Sequence, residues 1–414
     1  MKKKSMMLAA LLAAALLLGG CSGSVKVTDG TAAPALTLPP AISNVEAPTG
    51  DAALEYTADA TLHLPRSGGT HLIAVTREVT FSAGKRTAET LVRALLAFPG
   101  EGAAQPLGGE TALQLYGSLP VEVCGGVVTV NLSASALQLN SQQLYVACQA
   151  IANTLTELDG VEYVNVLVVD KQPGLDAMGR LPMGCLERSV GADIGAAYEQ
   201  LLTQRVAVGE DASAKRLTAV ATLYVPLAGG DAVQCEGRAI SFSGQEAETL
   251  VTALLDELSG GARLLQGVPE LTLLSEMLAE PPTVEARQDG GGRVVSLHFR
   301  DTLADYLASV NVTEGALCAA LTRTICTFLP NVSGVQMQVG DAPLTALRLN
   351  DAYGCLGGDE ALLFSEGVQQ RAQYDGFLLD ECTLFLPDMQ REHLVRVNRP
   401  VACAQAQNPR FLLL

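Results

Sequence analysis

The stretch AETLVRALL, residues 88–96, returns as AETLVTALL, residues 247–255, with one change, Arg93 against Thr252. A chain that writes the same amphipathic run twice is built from repeats, and each copy must then bury its apolar face against the same kind of neighbour. The copying extends well beyond nine residues. ATLHLP ends at Pro65, ATLYVP at Pro226 and CTLFLP at Pro387, each 161 residues after the one before. A run with Cys148, Ile151, Leu155 and Leu158 is matched 170 residues later by Cys318, Leu321, Ile325 and Phe328. VEYVNVLVV, from Val161, is echoed by VSGVQMQV, from Val332, and MGCL at 183–186 by YGCL at 353–356. The chain therefore holds two whole copies, expected at 54–205 and 214–375, and a fragment of a third at 379–414.

Each copy reads as a short series of elements. TLHLP alternates, with Leu62 and Leu64 on one face, and leads through RSGGT into a second strand, which predicts a hairpin. AETLVRALL switches to helical spacing, setting Ala88, Leu91, Val92, Leu95 and Leu96 on one stripe until Pro99 and Gly100 stop it. Strands near LQLYG and VVTVNLS, a helix over about 141–158 and a strand over 163–169 complete the unit. The second copy keeps this order, with DGGG at 289–292 as a turn before VVSLHF. The expected class is α+β, two tandem units, each a small sheet covered by two helices, followed by a C-terminal β-hairpin. The identity of the two AETLV-ALL runs then follows from packing on similar sheets and requires no active site.

The order of hairpin, ETLV-ALL helix, strand pair ending VTVNLS, helix with AIANTLTELDGV and final strand YVNVLVV resembles the GerMN domain. That domain occurs in tandem in GerM-type sporulation and spore germination lipoproteins of Gram-positive bacteria. The resemblance covers about 55–200 and 216–375, and the second copy departs from it with VVSLHF and LPNVSGV. It implies a fold related to ring-building motifs and a role in assembling complexes outside the cytoplasmic membrane.

Comparison between the copies disfavours catalysis. His63 stands where the later copies have Tyr224 and Phe385, which suits the outward side of a strand better than a metal ligand, and His298 stands where the first has Asn131. His71 and His393 match each other, but the second copy has Ala232 there. No HExxH, CxxC, G-x-S-x-G or Walker spacing is present, so no catalytic residue, metal site or cofactor is expected. Cys148 and Cys318 fall on equivalent helical stripes and read as small hydrophobes. Cys185 and Cys355, in matching G-C-L turns, are left as candidates for exposed thiols or a disulfide. Glu246 and Glu248 sit at a helix start, where they oppose the macrodipole.

The N-terminus has a different character. MKKK precedes an apolar run over 5–18, too short to span a bilayer, and LGGC places small residues ahead of Cys21. This is the pattern of a bacterial lipobox, so residues 1–21 are expected to be a signal peptide ending at a lipidated Cys21, and 22–53, rich in Ala, Pro, Thr and Gly, a flexible tether. The formal charge is −17, and −20 without Lys2, Lys3 and Lys4, which disfavours nucleic acid and anionic lipid headgroups as partners. In the third copy Pro409 discourages a helix, so only a hairpin is expected there, packed on or added to the second unit's sheet.

The expected function is a non-enzymatic lipoprotein held on the extracytoplasmic face of the cell membrane. Its partners would be the membrane, through lipid on Cys21, and an extracytoplasmic protein complex or further copies of itself. The alternative is a sensor for a small molecule or a peptidoglycan fragment. An aromatic content of 4%, without Trp, weighs against sugar platforms. Cys21→Ala is expected to move the protein from membranes to the soluble extracytoplasmic fraction, and recovery of the variant in the membrane pellet would refute this anchor.

Overall fold

The computed structural model describes residues 55–403 apart from 83–85, 177–179, 190, 192, 211–216, 243, 263–268, 272–273, 359 and 388–392. The lipobox, the tether and Pro409 lie outside the described residues. Both repeats and the third hairpin belong to one compact unit.

The first repeat begins with a hairpin of β1 (Glu55–Pro65) and β2 (Leu72–Ser82), then α1 (Thr87–Leu96). It continues with β3 (Val121–Cys124), β4 (Val127–Leu132), α2 (Ser141–Leu155), β5 (Tyr163–Val168) and α3 (Ile194–Glu210). The second repeat runs β6 (Leu217–Pro226), β7 (Val233–Phe242), α4 (Ala247–Ser259), β8 (Thr283–Ala286), β9 (Arg293–Phe299), α5 (Leu303–Ser309), α6 (Glu314–Phe328) and β10 (Val332–Val339). Short strands β11 (Ala342–Pro343), β12 (Ala346–Arg348), β13 (Ala361–Leu363) and β14 (Val368–Gln369) follow, and β15 (Leu379–Pro387) and β16 (Leu394–Ala402) form the third hairpin. The fold is α+β, with small sheets and few helices.

The repeated TLxLP pattern has a structural meaning. In all three hairpins the proline ends the first strand and pairs with the residue seven positions on, Leu72, Val233 and Leu394. Proline suits that position because it lacks the N–H a continuing ladder would use. In each repeat the hairpin is a two-stranded ladder of its own, beside a sheet in which the first two strands run antiparallel and the third parallel. A helix threonine joins the two parts. Thr154 Oγ1 accepts a hydrogen bond from His63 N at 2.9 Å, and at the matching place Thr324 Oγ1 accepts one from Tyr224 N at 3.0 Å. Each hydroxyl gives a buried backbone N–H the partner it needs. The turn from β3 to β4 is Gly125-Gly126, both at positive φ, a conformation that glycine adopts without steric cost.

The amphipathic helices are placed as their stripes require. Ala88, Leu91, Val92 and Leu95 of α1 are buried, as are Leu250, Val251, Leu254 and Leu255 of α4. The long helices go further, since every residue from Leu144 to Leu155 of α2 and from Gly315 to Phe328 of α6 is buried. In α2 this comes from the chain that follows. Gln149 Nε2 donates to Glu187 O at 2.7 Å, Asn153 Nδ2 to Ser189 O at 2.6 Å, and Tyr145 packs on Tyr198 of α3. The cover of α6 comes from the other repeat and from 365–378.

Three expectations change. The strand expected near LQLYG is a single bridge from Leu115 to Leu132, and the strand that pairs antiparallel with β4 is β3, a few residues later. His63 is buried, with Nε2 3.0 Å from Glu157 Oε1, because α2 lies over the strand face that the sequence left half-open. The third hairpin does form, but it touches both repeats. Leu378 bridges Val233 of β7, Leu379 and Ala402 are buried with Leu227 and Ala232, and Leu379 O accepts from the Cys124 thiol of β3 at 3.5 Å. Its far end is open, with Leu394 68% and Val395 47% exposed.

Leu91 and Leu250 are 4% and 1% exposed and occupy the same place in the two cores. Truncating either to Ala in the full chain is expected to cost about 2 to 5 kcal/mol. Chemical denaturation curves unchanged by both substitutions would show that the shared run is not a core element.

Candidate interaction face

A sheet has two faces, and in each repeat one of them meets that repeat's own helices. The other face can be followed strand by strand through the pairing. In the first repeat Glu122 pairs with Thr129 and Thr129 with Asn165, while Asn131 pairs with Leu167. In the second, Thr283 pairs with Ser296 and Ser296 with Gln336, while His298 pairs with Gln338. Side chains alternate across a strand, so each set shares one face.

The two faces have opposite fates. Glu122, Thr129, Asn131 and Asn165 are all buried, at 2 to 3% exposure. They are covered by α6, by β6 and by 369–375. Asn165 Nδ2 donates to Thr327 O of α6 at 3.2 Å, and Asn131 Nδ2 to Asp170 Oδ1 at 2.8 Å. Glu122 is the centre. Its carboxylate accepts from Arg323 of α6, from Arg371 at 2.7 Å and from the Tyr224 hydroxyl at 2.8 Å. The Arg323 guanidinium also stacks over the Tyr224 ring, 4.7 Å from its centroid, and reaches Asp375 at 3.0 Å.

Burial opposes ionisation of Glu122, but Arg323 and Arg371 beside it, with hydrogen bonds from Arg323 and Tyr224, hold its carboxyl down at about 2. Asp375 moves the other way, because burial outweighs the same two guanidiniums. Arg323 Nε and Arg371 Nε have no hydrogen-bond partner among the described residues. Such a cluster adds little net stability over an apolar contact but penalises misplacement heavily. Its physical effect is to set how α6 lies across the first sheet.

The equivalent face of the second repeat is open. Thr283 and Glu285 are exposed, and Ser296, His298, Gln336 and Gln338 are half-buried. Thr283, Ser296, His298, Gln336 and Gln338 line a trough of about 290 Å³ together with Glu280, Pro343 and Glu366. His298 Nε2 lies 2.7 Å from Gly340 O, Gln338 Nε2 donates to the same oxygen at 2.8 Å, and Gln336 Nε2 donates to Glu366 O at 2.9 Å. The face carries polar groups already supported from below, with carboxylates at its edge. Among the described residues no group of three or more His, Cys, Asp or Glu is arranged to hold a metal.

The residues singled out from sequence are dispersed. Cys21 lies outside the described residues. Cys148 and Cys318 are fully buried on α2 and α6, and burial pushes both thiols up, Cys148 to about 12. Cys185 is buried against Thr222 Oγ1 at 3.2 Å, and Cys355 is half-buried with its thiol donating to Tyr353 O at 3.3 Å. These two are free thiols of their own turns. Sequence reasoning passed over Glu122, Arg323 and Arg371. One signal was present, since Arg323 interrupts the otherwise uncharged run ALCAALTRTICTF.

Glu122→Gln keeps the shape but leaves two buried guanidiniums short of charge, and is expected to cost about 3 to 5 kcal/mol. A carboxyl held down by folding contributes stability above its unfolded pKa and loses it as pH falls toward the folded value. The wild type should therefore lose stability between about pH 4.5 and pH 2 more steeply than Glu122→Gln. Parallel pH profiles of the melting midpoint would refute the assignment.

Residues 61–173 match the family described as Germane, sporulation and spore germination. Among solved structures, the tandem GerMN domains of the sporulation protein GerM from Bacillus subtilis are 18% identical, covering 76% of this chain and 99% of that one, with a TM-score of 0.26. The first GerMN domain of the same protein is 15% identical, covering 32% and 94%, with a TM-score of 0.23. A putative lipoprotein from Clostridium perfringens is 16% identical, covering 30% and 82%, with a TM-score of 0.20. No curated protein matches the chain. The matched span runs from within β1 past β5 and contains the buried polar row of the first sheet, so the likeness to the Germane family of sporulation and spore germination proteins is carried by the first repeat.

Proposed function

We propose that the protein is a non-enzymatic scaffold, lipid-anchored through Cys21 on the outer face of the cell membrane, that assembles a protein complex in sporulation or germination. One observation carries this reading. The row Glu122, Thr129, Asn165 is buried beneath a helix, and the same row in the second repeat, Thr283, Ser296, Gln336, is open. A face of this type accepts a helix within the molecule and is free to accept one from outside. The occupant we assign is a helix of a partner protein, with small residues along its contact face and a basic side chain. That chemistry repeats what α6 offers with Arg323, and it complements Glu280, Glu285 and Glu366 on the open face. The sporulation and germination setting rests on the family match of residues 61–173. A sensor for small ligands is less well supported, since the trough is shallow and lined largely by side chains already bonded to one another.

The test is a bulky substitution on the open face. Ser296→Trp is expected to leave the melting midpoint close to wild type, because Ser296 points away from the core, and to abolish stoichiometric co-purification of a protein partner from solubilised membranes. A photo-crosslinking residue at position 298 should give an adduct with that same partner. Unchanged co-purification in Ser296→Trp, or crosslinks to no protein, would overturn the assignment of this face.

A further inference from the structure

Three thiols meet where the two repeats and the third hairpin converge. Cys124 ends β3, Cys235 lies in β7 and Cys403 follows β16, and they are 1%, 1% and 4% exposed. Their backbones come close together. Cys235 N donates to Cys124 Sγ at 3.2 Å, and the Cys235 thiol donates to Cys124 O at 2.9 Å. A Cβ on Gly125 would stand 1.7 Å from Cys235 O, so only glycine allows this approach. Cys403 N donates to Leu378 O at 2.8 Å, and the neighbouring Leu379 O lies 3.5 Å from the Cys124 sulfur, which brings the base of the third hairpin beside it.

Cys124, Cys235 and Cys403 belong to one buried cluster, so both of the other thiols are neighbours of the Cys124 sulfur. They are not equivalent neighbours. The Cys235 thiol would have to give up its 2.9 Å bond to Cys124 O in order to pair, and Cys235 is already tied to the first repeat through its backbone N–H. Cys403 closes a hairpin whose far end is exposed, and an isolated two-stranded hairpin is marginal in water. Burial opposes the thiolate throughout, yet bonds from Cys235 and Cys403 hold Cys124 down at about 5, while burial pushes Cys235 well up and the bond to Cys124, with burial, does the same to Cys403. Cys124 is therefore the nucleophile of the three.

We propose that Cys124 and Cys403 are a disulfide site that fastens the third hairpin to the first repeat, with Cys235 remaining a thiol. The oxidant is an exogenous disulfide, either a small one such as oxidised glutathione or that of a thiol–disulfide oxidoreductase. The Cys124 thiolate attacks one of its sulfurs, forming a mixed disulfide and releasing one thiol. Cys403, losing its proton, attacks the Cys124 sulfur and expels the second thiol. Two protein thiols are oxidised and one disulfide is reduced to two thiols. With so little exposure the exchange requires the base of the hairpin to lift, so oxidation of the folded chain is slow and oxidation during folding is fast.

The full chain, refolded with oxidised and reduced glutathione, denatured in N-ethylmaleimide and digested, provides the test. The peptide containing Cys124 is expected joined to the one containing Cys403 and released by reductant, with Cys235 alkylated. The melting midpoint should rise on oxidation in the wild type and stay unchanged in Cys403→Ser, which retains a hydrogen-bond donor toward Cys124 and is expected to fold as the reduced protein does. A link from Cys235 to either of the others, glutathione adducts alone, or alkylation of all three thiols would overturn the proposal.

Discussion

The carboxylate of Glu122 is the point on which the arrangement of the two repeats depends. It lies in the first sheet, two residues from the turn, and its charge is met by two guanidiniums that belong to the second repeat. None of these groups could be buried alone, because a charge taken out of water without a partner is too costly to keep. The helix bearing Arg323 must therefore lie across the first sheet at the place where Arg323 reaches Glu122. Tyr224 then fills the space above the guanidinium, and Arg371 and Asp375 close the cluster from the later part of the chain. The polar row of Thr129, Asn131 and Asn165 is covered as a consequence.

Repetition gives this arrangement its further interest. Two copies of one unit share their hairpin register, their helix stripes and even the threonine that satisfies a strand N–H. They differ in what lies on the outer face of the sheet. The first sheet is sandwiched between helices from both repeats. The second has helices on one face and a polar trough, with carboxylates along its rim, on the other. The third hairpin adds a second asymmetry, since its base is anchored at the junction of the repeats and its tip remains exposed. A modular protein of this kind has one side committed to internal contacts and the other available, which is the physical basis for reading it as a scaffold.

Much of the fold was legible because it rests on local patterns. TLxLP announces a strand ending at a turn, AETLV-ALL has a stripe of period near 3.6, and DGGG at 289–292 marks the turn before β9. Each of these signals is contained within about ten residues and survives any change in tertiary surroundings. The burial of His63 was not legible in this way. Exchange with Tyr224 and Phe385 suggested an outward strand position, but Tyr224 proves equally buried, because in each repeat the long helix lies over that strand. Cys185, left open as a candidate exposed thiol, is buried for a related reason, its turn being folded under β6.

By itself the sequence determined that the chain carries two repeats and a fragment of a third, most of the elements that compose them, and the apolar stripes of their helices, since periodicity and repetition depend only on the order of residues along the chain. The tertiary structure alone decided which polar residues are surface. Thr129 and Ser296 are the same kind of residue at the same place in matching strands, and one is 3% exposed while the other lies open in a trough. Nothing local distinguishes them. The difference comes from contacts such as Glu122 with Arg323 and Arg371, whose members are separated by some 200 or more residues and meet only because hairpins, sheets and helices have already packed.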